Sequence, residues 1–175
     1  MDVIYRSASV ADIDAIELIY EHVHDAEEAG TCTTGWLRGI YPVREVAEKS
    51  VARGDMYVAE AGGKVVATAI INQLQVDVYE GANWLYDAQD NEVCVLHTLA
   101  VEPSLRKEKI GTGFVEYYEK IAHELGCTVL RMDTNARNSI ARHFYAGLGY
   151  READIVPTVF NGIPGVDLVL LEKKL

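Results

Sequence analysis

Leu96-His-Thr-Leu-Ala-Val-Glu-Pro-Ser-Leu-Arg-Lys-Glu-Lys-Ile-Gly-Thr-Gly113 is the stretch on which the fold of this chain turns. An apolar strand runs into Pro103, then into a basic turn, then into glycines that open a helix. Turns of this kind aim successive backbone N–H groups at one point, and the helix dipole adds positive potential there. Arg106, Lys107 and Lys109 gather positive charge on a chain whose formal net charge is −11. The arrangement predicts an anion site, with a pyrophosphate as its natural guest. The plainer alternative is a solvated turn in which Gly111 and Gly113 merely begin a helix. A Rossmann or P-loop site fits less well, because neither GxGxxG nor GxxxxGK followed by Ser or Thr occurs.

Regular elements extend outward on both sides. Toward the N-terminus, residues 3–5 read as a strand, and Ser9 to Asp12 offers capping groups for a helix. Its apolar positions are Ile13, Ile16, Leu18, Ile19, Tyr20 and Val23. The glycines at 30 and 35 break that helix, Pro42 and Glu45 start a second, and Gly54 ends it. Residues 56–60 and 64–74 form strands joined at Gly62-Gly63, a two-residue hairpin turn. Residues 75–91 are an irregular polar insertion, and 92–101 is a nearly continuous apolar run, as in a central strand covered on both faces. Toward the C-terminus a helix over 111–125 stops at Gly126, a buried strand covers 127–132, and another helix covers 138–146. Gly149-Tyr150 and residues 165–171 bracket two final strands. The order predicts one mixed α/β domain over residues 1–175, with a central sheet and no linker or repeat.

Composition narrows the function. With 49% apolar and 25% charged residues, the chain can bury a sizeable core and has no disorder-prone tract. No run approaches the roughly 20 apolar residues of a membrane span, and the start lacks a basic n-region, so a cytoplasmic location is expected. Cys32, Cys94 and Cys127 form no CxxC pair, which argues against a disulfide framework or a zinc site, and no metal is expected. The acidic balance disfavours nucleic acid and suits a cationic partner.

Two blocks, in order, resemble the signatures of the GNAT superfamily of N-acetyltransferases. The first is the strand-Pro-turn-helix run, similar to the acetyl-CoA signature of Gln or Arg, two residues, Gly, one residue, then Gly or Ala. Arg106, Ile110 and Gly111 fall in register, with Lys109 in place of the first glycine. A side chain in the left-handed region costs roughly 1–2 kcal/mol. Lys109 therefore either takes a negative φ or carries strain while its amine helps hold phosphate. The second block runs from Asp133 to Tyr150, where Asn138, Ala141, Tyr145, Gly149 and Tyr150 match the later motif.

The resemblance implies the GNAT fold, an α/β (α+β) sandwich with a mixed central sheet of about seven strands flanked by four helices. It also implies acetyl-CoA as donor, lying in a V-shaped gap between the strand ending at Val101 and the one beginning at Cys127. Backbone groups of Leu99, Ala100 and Val101 would line the pantetheine arm. Arg106, Lys107, Lys109, Ile110, Gly111, Thr112 and Gly113 would hold the phosphates. Asn138 would cap its helix and face the cofactor, and small Ala141 would let it pass. Tyr145 would protonate the departing thiolate, since a phenol of pKa near 10 keeps its proton at neutral pH; a plain core tyrosine is the alternative.

His97 stands in a stretch similar to a strand of the arylalkylamine N-acetyltransferases, where a histidine helps take up the amine proton. Those enzymes carry a second histidine where this chain has Val95. Without a bulge, alternation places residues 93, 95, 97, 99 and 101 on one side. A hydrogen-bonded core histidine is the competing reading, and Glu92 is the rival base. The expected reaction is direct attack by a primary amine of a small molecule, with Trp36, Tyr41, Tyr79 and Trp84 shaping its pocket. A protein or peptide N-acetyltransferase and a non-catalytic acyl-CoA-binding sensor are the alternatives, and a homodimer is the assembly the resemblance implies.

Overall fold

The computed structural model describes residues 2–175. β1 (Val3–Ser7) leads to α1 (Ile13–Glu28), whose buried face carries Ile13, Ile16, Ile19, Tyr20 and Val23. Just before α1, the Asp12 carboxylate accepts the Ser9 backbone N–H at 2.8 Å and fixes the entry of the chain. α2 (Arg44–Arg53) ends on Gly54, whose φ of 82° is the left-handed stop that glycine adopts without penalty. β2 (Met56–Ala61) and β3 (Lys64–Asn72) follow as a hairpin. Then come β4 (Val93–Val101), α3 (Ile110–Glu124), β5 (Val129–Asn135) and α4 (Ser139–Gly147). β6 (Arg151–Phe160) and β7 (Ile163–Lys174) close the chain. Asn161-Gly162 makes their turn, with φ of 47° and 85°, so β7 begins ahead of Gly165.

The strands form one seven-stranded sheet in the order β1-β2-β3-β4-β5-β7-β6. β4 and β5 are parallel, and the other neighbouring pairs are antiparallel. One apolar core packs α3 and α4 against the sheet, a second packs α1 and α2, and a third lies under the 75–91 insertion. No helix among the described residues is long and apolar enough to cross a membrane.

The site is created by an irregularity in the middle of the sheet. β4 pairs with β5 from Val93↔Val129 only as far as Leu96↔Met132. On its other side, Thr68 pairs with Ala100 but Ile70 with His97, so β4 carries one extra residue there. Thr98, with φ of 53°, sits in this bulge. A bulge bends its strand and strengthens the local twist, which swings the end of β4 away from β5. It also reverses the alternation: Leu99 and Val101 join Cys94 and Leu96 against α3, while Val93 and Val95 pack on the opposite side. The alternation that would hold from 93 through 101 without a bulge therefore stops at the bulge.

Candidate active site

Beyond Leu96 the β5-facing edge of β4 has no strand beside it. A cavity of about 340 Å³ opens there, walled by Leu99, Ala100 and Val101, by the basic turn, by α4 and by the loop after α1. Arg106, Lys107, Lys109, Gly111 and Thr112 line it. Lys109 is the N-cap of α3 and takes φ 58°, ψ 16°, so it adopts the left-handed geometry of the glycine it replaces and carries the strain. No side chain among the described residues caps α3, which leaves its first N–H groups free for an anion. Arg106 is tied across the opening, donating to the Thr31 carbonyl at 2.7 Å.

Two members of the expected phosphate set serve differently. The Ile110 side chain is core, so only its N–H can reach a ligand. Gly113 is required by β1, because a Cβ there would lie 2.2 Å from the Tyr5 hydroxyl oxygen. Asn138 caps α4, accepting the Ala141 N–H at 3.2 Å, and both residues line the cavity. Taken together, free backbone edge, uncapped helix start and converging cations fit a ligand with a long amide-bearing arm and a phosphate end.

The cavity continues into a small void of about 90 Å³ and then into a second cavity of about 330 Å³. The void shares Trp36, Leu99 and Tyr145 with the first cavity, and Thr98, Asp133 and Phe160 with the second. The bulge is therefore where two approaches meet. Above it, the loop after α1 is held by Glu27, which accepts the Thr34 hydroxyl at 2.9 Å and the Gly35 N–H at 3.2 Å. A Cβ on Gly35 would come within 2.3 Å of the Asn135 side-chain amide, so only glycine lets this loop cross β5 so closely.

Tyr145 projects from α4 with its ring buried, and its phenol has no hydrogen-bond partner among the described residues. Burial, reinforced by the nearby Asp133 carboxylate, pushes its pKa up, so the group is a proton donor at neutral pH. Asp133 was not visible as a functional residue in the sequence. It is the first residue of β5 past the last parallel pair, and its Oδ2 accepts the Tyr79 hydroxyl at 2.7 Å. Burial raises its pKa to about 6, against the opposing effect of that hydrogen bond. A charged residue closing an apolar strand was the available signal, since ligands in α/β sheets bind at the carboxyl ends of parallel strands.

His97 lines the second cavity, but its Nε2 lies 2.9 Å from the Asn72 Oδ1. Asn72 donates its amide to Asp55 at 2.9 Å and accepts the Leu74 N–H at 3.0 Å. Those two bonds fix the amide orientation, so the Nε2 of His97 is the protonated nitrogen. Burial lowers its pKa to about 4. Glu92 is not brought to the cleft. It ends the turn before β4, its carboxylate accepts the Gln89 N–H at 2.9 Å, and six residue steps along the strand, roughly 20 Å, separate it from Thr98.

Of the four aromatic residues expected at the acceptor pocket, Trp36 lines the void and Tyr41 the second cavity, where its hydroxyl bonds that of Thr98. Tyr79 lies behind Asp133 as its support. Trp84 is a correction: its indole N–H donates to the Tyr79 carbonyl at 2.8 Å and its ring covers Arg131 at 4.1 Å, so it packs the insertion rather than the pocket.

The acetyltransferase (GNAT) family model matches residues 17–150 of this chain. An uncharacterized N-acetyltransferase of Methanocaldococcus jannaschii is 26% identical over 175 residues, covering 98% of this chain and 91% of the relative. A second one from that organism is 26% identical over 100 residues, covering 57% of this chain and 40% of its own length, so the chain spans less than half of it. Among solved structures, an acetyltransferase of the GNAT family from Streptococcus agalactiae has the same fold, with a TM-score of 0.81 at 23% identity, covering 99% of this chain and 95% of that one.

Proposed function

The chain belongs to the acetyltransferase (GNAT) family, and from that premise we propose that it moves the acetyl group of acetyl-CoA onto the primary amine of a small molecule. Membership makes it an acyl-CoA-dependent N-acetyltransferase. The acceptor and the roles of individual residues are our reading of the geometry.

Bound acetyl-CoA supplies an activated thioester. The free edge of β4 at Leu99 to Val101 would receive its arm, and Lys107, Lys109 and the start of α3 its phosphates. A backbone N–H on that edge polarises the acyl oxygen and stabilises the charge that develops on it. The acceptor enters through the second cavity. Asp133 takes the amine proton, directly or through one water, because a carboxylate of pKa about 6 is ionised at neutral pH and lines the void. His97, with its pKa near 4 and its Nε2 committed to Asn72, is the weaker base and acts as a neutral wall. Tyr145 holds the proton that the leaving sulfur receives. Burial raises the Cys94 thiol to about 12, so it is a packing group rather than a nucleophile.

The observation that carries this reading is the meeting of two cavities at the Thr98 bulge, with Tyr145 and Asp133 both on the void between them. The small-molecule acceptor is supported by the second cavity, which is walled by α2, three strands, residues 74–76 and Phe160. The test compares kcat/KM for a free amine with that for the same amine at a peptide N-terminus. Preference for the free amine supports the reading, and preference for the peptide contradicts it.

A further inference from the structure

We propose that the acceptor is a zwitterion: its ammonium group is received by Asp133, and its anionic group, a carboxylate or a phosphate-type oxyanion, by Arg53 with Lys49. This rests on the acetyl-transfer reading above and names the acceptor class of that site.

The charges around the second cavity are separated. Asp133 stands at its inner end, where the cavity joins the void, whereas Lys49 and Arg53 enter from α2. Among the described residues, no other Asp, Glu, Lys or Arg lines it. Asp133 has no cation paired with it among the described residues, and only its Oδ2 is engaged, by Tyr79. An ionised carboxylate in that position lacks a counterion, and a ligand ammonium supplies one.

Arg53 is held in place for a ligand at the opposite end. Its Nε donates to Asp55 Oδ2 at 2.8 Å, and its Nη2 donates to Asp55 Oδ1 at 3.1 Å and to the Ser50 hydroxyl at 2.9 Å. These bonds leave Nη1 with its donors open among the described residues. Asp55 divides its charge between Arg53 and the Asn72 amide, so the guanidinium is braced without being fully satisfied. A planar guanidinium fixed on one edge and open on another is the geometry that receives an oxyanion. Lys49 adds a second, exposed cation, paired at 2.7 Å with exposed Glu45.

The dimensions agree with a small ligand. Asp133 and His97 each follow the last parallel pair, Leu96↔Met132, where β4 and β5 part; His97 pairs with Ile70, and the Asp55 carbonyl accepts the Ile71 N–H, so the two ends of the cavity lie on backbones at least three strand spacings apart, about 14 Å or more. The Asp133 and Arg53 side chains reach inward across part of that span. The remaining room, within a cavity of about 330 Å³, suits a molecule of amino-acid size. An amine with an uncharged tail would leave the open Arg53 donors against carbon, and that is the source of discrimination.

The experiment measures CoA-thiol release with matched acceptor pairs, each amino acid or aminoalkyl phosphonate set against its amide or ester without the anion. The anionic member should be favoured by about tenfold or more in kcat/KM, chiefly through KM. Arg53→Gln should shrink that preference to about threefold or less, and Arg53→Lys should retain part of it. Because Arg53 also braces Asp55, Lys49→Gln is the second variant; it should lower the preference while melting as the parent does. Equal or better turnover of the uncharged partners overturns the proposal and leaves acetyl transfer standing. So does a preference that survives both substitutions combined. Failure of every amine of either kind to release thiol defeats the acetyl-transfer reading itself, and the zwitterion proposal with it.

Discussion

Asp133→Asn should make the protein at once more stable and much slower. Burial raises the Asp133 pKa from 3.8 to about 6, so the fold disfavours the ionised form. Two pH units correspond to about 3 kcal/mol at 1.36 kcal/mol each. The sign follows from the direction of the shift. The penalty is fully developed above pH 6, shrinks as pH falls from 6 toward 3.8, and is absent below that. Because the carboxylate borders a cavity, water offsets part of the cost and about 1–2 kcal/mol should be recoverable. Asparagine keeps the shape and can still accept the Tyr79 hydroxyl without carrying the charge. The melting temperature near pH 7.5 should therefore rise by about 2–8 °C, and the gain should vanish near pH 4. Over the same range, parent kcat/KM should climb through an apparent pKa of about 6, while the variant loses that limb and runs about 10²–10⁴-fold slower. Thermal melts and initial rates of thiol release across pH read both effects. A variant that melts lower, or one that keeps the limb near 6, would refute the assignment of Asp133 as base.

Three other substitutions probe separate parts of the site and its frame. His97→Ala should keep the limb near pH 6 and lose less than about tenfold in rate, because a neutral group bonded to Asn72 is not the base; pH–rate profiles decide it. Lys109→Gly should relieve the left-handed strain and gain about 1 kcal/mol, whereas Lys109→Ala keeps the strain; both remove a cation and should weaken acetyl-CoA binding alike by calorimetry. Glu172→Gln should cost about 1–3 kcal/mol in urea unfolding and expose the 75–91 insertion to protease. That carboxylate is fully buried, accepts the N–H groups of Leu85 at 2.7 Å and Tyr86 at 3.3 Å, and pairs with Arg151.

The parts of the site written in local spacing were legible in the sequence. The basic turn before α3 and the Asn138, Ala141, Tyr145 series on α4 depend on short offsets within one element, and the structure brings both to the same cavity. The resemblance implied a bulge that splays the two parallel strands, but its position at Thr98 was not legible, because an extra residue is located only relative to the partner strand β3. What depends on that position went unread with it, from the face that Leu99 takes to the place of Asp133 beside the gap. Trp84 looked like pocket because an aromatic residue in an insertion carries no label of direction. The residue it covers, Arg131, lies on β5, and the carboxylate that holds the insertion, Glu172, lies on β7. Asn161-Gly162 is a different case: the dipeptide is a strong hairpin signal, and Gly165 drew the boundary away from it.

The central claim is that donor and acceptor meet at the void where β4 leaves β5, with Tyr145 as the acid. Its most direct test is thiol release from acetyl-CoA by the parent and by Tyr145→Phe across a panel of primary amines, with acetyl-CoA affinity measured in parallel. The account predicts amine-dependent release by the parent and a loss of about 10²-fold or more in kcat for the variant, with affinity little changed. Tight acetyl-CoA binding without amine-dependent release, or full activity in Tyr145→Phe, would contradict it.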